Sequence, residues 1–159
     1  MTIEIALAVE RSAPITATPE QAFALLCSIP DSAAHFQGLE ALVPEQGGFT
    51  WRLQKTGVGN LSLQAIYGCR YTPDPATRTL TWVPLEGVGN TRVTGSWRVV
   101  TGPGGTRIHI SNSMVLTLPV PRLMRGLVEP FVTRESARLI ERYVENLGKT
   151  LSGGDGRVR

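Results

Sequence analysis

Residues 2–10, TIEIALAVE, alternate apolar and polar positions: Ile3, Ile5, Leu7 and Val9 share one parity, Glu4 and Glu10 the other. A period of two over this length predicts a half-buried strand. Thr18-Pro19-Glu20-Gln21 then predicts a helix start, with Thr18 as N-cap, Pro19 at the first helical position and Gln21 placed to close a capping box. Ala22, Phe23, Leu25 and Leu26 supply its apolar stripe. Pro30 is expected to end it, and Asp31 or Ser32 to cap a second short helix running to about Phe36.

From residue 39 to residue 117, β-branched and aromatic runs are broken by turn chemistry at 45–48, 57–60, 73–75, 87–90 and 102–105. This spacing predicts an antiparallel meander of about six strands after the first. The tetrapeptide GVGN occurs at 57–60 and 87–90 with unrelated flanks, which makes two similar turns rather than a repeat. The run Gly102-Pro103-Gly104-Gly105 invites comparison with a phosphate-binding loop. Such a loop needs a helix behind it, and here an alternating stretch, Thr106 to Leu116, follows. These glycines are expected to turn a hairpin.

From Pro119 to about Lys149 the period becomes helical. Leu123, Leu127, Phe131, Ile140, Tyr143, Val144 and Leu147 fall near one face; Arg134, Arg138 and Arg142 fall on another among Glu135, Glu141 and Glu145. Pro130 is expected to kink or break this helix. One domain over residues 1–151 is expected, with 152–159 as a glycine-rich flexible tail.

Strand parity sorts the meander. Inward fall Phe49, Trp51 and Leu53; Leu61, Leu63, Ala65, Tyr67, Cys69 and Tyr71; Leu80 and Trp82; Val93, Trp97 and Val99; and Ile108, Ile110, Asn112, Met114 and Leu116. Outward fall Ser62, Gln64, Arg70, Thr94, Ser96, Arg98, Arg107, His109 and Ser111. The inward set is apolar and aromatic, with few polar groups. Aliphatic side chains of that kind fill a core, but a buried amide such as Asn112 needs a partner.

Composition narrows the function. No run of eighteen apolar residues is present, so no helix is expected to span a membrane. The acidic, alternating N-terminus reads as a strand rather than a secretory signal. Cys27 and Cys69 have no metal-type spacing, so neither zinc nor a disulfide is expected, and a reducing cytoplasm is the default setting. No cofactor motif is found. No inward position carries Asp or Glu, His109 has outward parity, and no nucleophile elbow occurs, which argues against acid–base or nucleophilic catalysis. His35, on the second short helix, is the one histidine able to approach a cavity mouth. The net charge of +3 is too small to call for DNA. Arg52, Arg70, Arg92, Arg98 and Arg107 do share the outer sheet face, which suits RNA, a ribosome or an anionic membrane surface. No aromatic residues interleave with them, and Glu4 and Glu10 are expected to lie alongside, as on a solvated exterior.

The order strand, two helices, several strands, long helix resembles the START-like or helix-grip superfamily. The likeness spans Ile3 to Leu151. It is carried by the TPEQAFALL helix at 18–26, the break at Ile29-Pro30-Asp31, and the stretch from Trp97-Arg98-Val99 through Gly105-Thr106-Arg107 before the final helix. The resemblance implies an α+β fold: a curved antiparallel sheet of about seven strands wrapped around the C-terminal helix, with two short helices after the first strand. It also implies a cavity between sheet and helix, holding a small hydrophobic molecule of lipid, polyketide or isoprenoid type. The candidate lining is Trp51, Leu63, Tyr67, Tyr71, Trp82, Trp97, Ile110, Asn112, Met114, Leu127 and Phe131. A polyketide cyclase or aromatase is the enzymatic alternative. An interaction module using the arginine face, ribosome- or respiratory-chain-associated, is the third.

Overall fold

The alternation that begins at Ile3 continues to Ile15 as strand β1 (Ile3–Ile15), with Ile3, Ile5, Val9 and Ile15 buried. The computed structural model describes residues 1–158; Arg159, the last residue of the expected tail, lies outside the described residues. Helix α1 (Pro19–Cys27) opens with the expected capping box: Gln21 N donates to Thr18 Oγ1 at 3.1 Å, and Thr18 N donates to Gln21 Oε1 at 3.0 Å. Pro30 does not end it. Pro30 lies in the first turn of helix α2 (Ile29–Ala33), where a missing N–H leaves no intrahelical bond unmade.

The remaining strands are β2 (Leu39–Glu45), β3 (Gly48–Leu53), β4 (Thr56–Val58), β5 (Leu61–Leu63), β6 (Ile66–Asp74), β7 (Thr79–Gly89), β8 (Thr91–Gly102) and β9 (Gly105–Leu118). Seven form one antiparallel sheet in the order β1-β9-β8-β7-β6-β3-β2, while β4 and β5 make a separate hairpin. β1 pairs with β9 along its whole length, from Ile3 opposite Leu118 to Ile15 opposite Thr106. The run 61–71, expected as one strand, is interrupted at Gln64 and Ala65. Asn90 causes the break: its Oδ1 accepts from Ile66 N at 3.0 Å and its Nδ2 donates to Gln64 O at 2.8 Å, replacing ladder partners. Gly102 pairs with Gly105 across Pro103 and Gly104, so the glycine run turns a tight β8–β9 hairpin.

A 3₁₀ turn (Arg122–Met124) leads into helix α3 (Arg125–Thr150), 26 residues long. At about 1.5 Å per residue it is long enough to cross the sheet. It runs through Pro130 without a break. The carbonyl that Pro130 leaves unbonded belongs to Gly126, at the exposed start of the helix, where water reaches it. Counting back from Ile140 by fours, the buried face passes through Ser136, Val132 and Val128. Leu127 and Leu123 are off that line. They are 49% and 97% exposed, which corrects the expectation that both face the sheet.

The concave face of the sheet carries the inward set as expected, and Trp51, Tyr67, Trp82, Trp97, Ile110, Asn112 and Met114 are all buried. Arg70, Arg92, Arg98 and Arg107 are exposed on the convex side. This is the helix-grip arrangement. Residues 152–158 fold back on the domain: Gly156 N donates to Thr150 Oγ1 at 3.0 Å, and Val158 N donates to Ala34 O at 2.8 Å.

Candidate functional site

Two hollows lie in series beneath α3. The deep one, about 40 Å³, is closed by Leu26 of α1, Ile29 and Ser32 of α2, and Phe36. Its floor is Trp51, Tyr67, Cys69, Tyr71, Leu80, Trp82, Val93, Trp97, Ile110 and Asn112, and its roof Ile140 and Tyr143. The outer one, about 270 Å³, lies between Gly38, Leu53, Thr56, Leu63, Leu116 and Leu118 and the α3 residues Phe131, Val132, Ser136 and Leu139. Gln54, Lys55, Gln64, Glu135 and Arg138 supply its polar edge. Moving along β3 from Trp51 to Leu53, or along β9 from Asn112 to Leu116, passes from the first hollow to the second. Met114 stands between them on β9.

The deep chamber is walled by rings. Trp51 stacks on Tyr67 with centroids 6.0 Å apart and planes 13° from parallel. Tyr143 meets Phe36, Trp51 and Trp97 edge to face at 5.2, 6.4 and 5.7 Å. The polar atoms are mostly tied to one another. Trp51 Nε1 donates to Tyr71 Oη at 2.8 Å, Trp82 Nε1 donates to Asn112 Oδ1 at 3.1 Å, and the Ser32 and Tyr143 hydroxyls share a short hydrogen bond. Because an indole N–H only donates, the Asn112 oxygen must face Trp82. The Asn112 Nδ2 then has no partner among the described residues, and neither does the Tyr67 hydroxyl. No side-chain nitrogen or oxygen sealed from solvent lacks a partner among the described residues, so both atoms open onto free space.

Burial sets the charge state. It pushes the Tyr143 phenol up to about 12 against weaker opposing hydrogen bonds from Ser32 and Trp97. It pushes the Cys69 thiol up to about 12 against a weaker hydrogen bond from Tyr71. Tyr67 and Tyr71 are raised well above the ordinary phenol range, chiefly by burial and further by the neighbouring thiol and phenols. At neutral pH the deep chamber is therefore uncharged: it offers hydrogen bonds and aromatic faces. Among the described residues no group of three His, Cys, Asp or Glu stands together as a metal site.

The sequence profile of the polyketide cyclase / dehydrase and lipid transport family matches residues 6–149. The chain belongs to this family. No protein of curated function matches the sequence significantly. Solved structures share the family's helix-grip fold at low identity. An aromatase/cyclase, Zhui, from Streptomyces sp. R1128 is 20% identical, with a TM-score of 0.58 over 94% of this chain and 99% of that one. A START superfamily protein from Mycobacterium smegmatis is 13% identical, with a TM-score of 0.56 over 88% and 98%. TTHA0849 from Thermus thermophilus is 17% identical, with a TM-score of 0.60 over 94% and 97%.

Within this family fold, Trp51, Tyr67, Tyr71, Trp82, Trp97, Ile110 and Asn112 come together in the deep chamber, while Leu63 and Phe131 line the outer one. Met114 is buried but lines neither. Leu127 is outside both; its Cδ2 would lie 3.8 Å from a Cβ on Gly59, at the β4–β5 turn. His35 does not reach a cavity mouth. It is 1% exposed, with Nδ1 against Asp31 O at 2.9 Å and Nε2 against Thr150 Oγ1 at 2.8 Å. Sequence reasoning missed Ser32, Phe36 and Ile140 as lining, and took Tyr143 only for the apolar face of the helix. The capped α1 and the α2 residues after it were the available signal that a short helical lid covers one end of the sheet.

On the convex face Arg92 is tied to Glu86 at 2.9 Å, and Glu10 meets His109 at 3.1 Å across the β1–β9 pair. The glutamates of β1 thus lie beside the basic stripe. No helix of the described residues is long and apolar enough to cross a membrane.

Proposed function

We propose that this protein binds a small, largely apolar, ring-bearing molecule beneath α3. Its body occupies the outer chamber, and a neutral hydrogen-bond acceptor, such as a ketone or ester carbonyl, meets the Asn112 amide at the deep end. The observation that carries this is the Asn112 Nδ2. It belongs to a side chain 6% exposed, its oxygen is already engaged, and its N–H groups face a space otherwise walled by rings and aliphatic chains. This donor opens onto the chamber with no protein partner among the described residues, so a ligand carbonyl there meets a largely desolvated N–H. Uncharged surroundings select a neutral acceptor over a carboxylate, since burying a bare anion there would be far more costly. An apolar pocket with a few placed polar groups is the usual form of a small-molecule site.

Mass analysis of what co-purifies with the protein, together with titration of aromatic ketones followed by thermal melting, tests this. Binding that raises Tm, and is stronger for the ketone than for its hydrocarbon analogue, is expected. Equal failure of both compounds sinks the proposal. Turnover of a poly-β-keto compound in the same titration would replace binding with cyclase chemistry.

A further inference from the structure

The corner of the molecule beside the outer chamber carries apolar side chains where water should be. Leu123 is 97% exposed and Leu127 49% exposed, on consecutive turns of the segment Pro119-Val120-Pro121-Arg122-Leu123-Met124-Arg125-Gly126-Leu127. Leu127 reaches toward Gly59 at the tip of the β4–β5 hairpin, whose Val58 and Leu61 are only partly buried. One turn beyond Leu127, Phe131 lines the outer chamber, as do Lys55 and Thr56 at the base of the same hairpin. On the same stretch of chain, Leu127 therefore lies one turn and Leu123 two turns from the lining of the outer chamber.

The two segments of this corner carry cations and no acid. Residues 119–128 contain Arg122 and Arg125 and no acid; residues 55–63 contain Lys55 and no acid. The nearest carboxylate in sequence, Glu129, is engaged by Arg125 at 2.8 Å. Arg122 and Lys55 have no ion pair among the described residues. The first turn of α3 also has no side-chain cap.

We propose that this corner docks on an anionic lipid bilayer, with Leu123 and Leu127 inserted at the acyl boundary and Arg122 and Lys55 against the headgroup phosphates. Two observations select this occupant. Leu123 projects into solvent at 97% exposure, a position that a fluid bilayer accepts and a rigid protein surface accepts only with a matching groove. A second copy of the chain would bring Arg122 and Lys55, which have no ion pair among the described residues, against their own copies, because a twofold contact repeats the patch against itself. A bilayer reverses the sign: each basic residue near an anionic surface strengthens binding, and exposed apolar side chains add to it. The outer chamber would then open toward the lipid. This inference stands apart from the ligand reading above, since it rests on surface residues and not on the chamber.

Flotation of the whole protein with vesicles of phosphatidylcholine and phosphatidylglycerol, against vesicles of phosphatidylcholine alone, tests it. Association with the anionic vesicles only is expected, weakening as salt rises from about 0.1 M to about 0.5 M. Arg122→Ala should lower partitioning about fivefold, and Leu123→Asp with Leu127→Asp about tenfold or more. Ketone binding should stay unchanged in these variants, because the altered side chains lie outside both chambers, and Arg122→Ala and Leu123→Asp alone should leave the melting curve unchanged, because both side chains are exposed. Absence of flotation overturns the proposal, as does equal binding to both vesicle types or undiminished binding by the double variant. A dimer in sedimentation that the double variant dissociates would assign the patch to a second copy instead.

Discussion

Trp82 reaches Asn112 across an entire strand: its indole N–H donates to Asn112 Oδ1 at 3.1 Å, and the residue between them on β8 is Gly95, paired with Trp82 on one side and Asn112 on the other. An added Cβ on Gly95 would lie 2.8 Å from Trp82 Cζ2 and 2.3 Å from Ser111 O. Gly95 therefore vacates the space in which the indole lies and through which the amide is aimed.

Gly95→Ala should displace the indole and cost about 1–3 kcal/mol as an overpacked core site. Urea unfolding measures the loss, and near-ultraviolet circular dichroism should show an altered tryptophan environment. An unchanged spectrum and midpoint would mean the row relaxes freely and positions nothing.

Asn112→Leu separates binding from packing. Trp82 Nε1 loses its acceptor, so stability should fall by roughly 1–3 kcal/mol. Affinity for a ketone should fall about tenfold, the value of one good hydrogen bond to a buried group, while that for its hydrocarbon analogue should not. Equal losses for both ligands in calorimetric titration would deny the amide any part in recognition.

Much of this row was legible before any coordinates. Parity alone placed Trp82, Trp97 and Asn112 on one face, because a strand's period is an integer and errors do not accumulate along it. What parity does not contain is register: that Trp82, Gly95 and Asn112 fall in one line depends on how three strands slide against each other. The helix was less legible. Ser136 is a polar residue in the buried line of α3, so the apolar pattern drew attention to Leu123 and Leu127, which the molecule leaves in water. Ser32 and Tyr143, 111 residues apart, meet only through the docking of α2 on α3, a contact that no local pattern encodes.

The chain's three tyrosines, Tyr67, Tyr71 and Tyr143, all line the deep chamber, and burial raises all three phenols. The native state thus holds protons that the unfolded chain releases. Stability from this source is complete below about pH 9, where the Cys69 thiol of the unfolded chain begins to titrate, and it is lost as pH rises toward 12. An alkaline titration should show no phenolate absorbance near the ordinary tyrosine pKa of 10.0 until the fold itself opens, with both signals moving together. Tyr143→Phe should flatten the fall of Tm between about pH 10 and pH 12. Phenolate absorbance appearing in the folded protein would place a tyrosine in water.

Met114 lies on β9 between Asn112, which lines the deep chamber, and Leu116, which lines the outer one. It is 7% exposed and unbranched, the side chain best able to change rotamer without disturbing the sheet. Met114→Ala should widen the space between the two hollows. Truncating a buried methionine costs about 2–5 kcal/mol, the larger figure where the surroundings cannot collapse. The same change should extend the longest ligand accepted: in a series of alkyl aryl ketones, the optimum chain length should increase in the variant and stay short in the wild type. Calorimetric titration of both proteins across the series reads this directly. An unchanged optimum would show that Met114 is ordinary core with no part in setting ligand length.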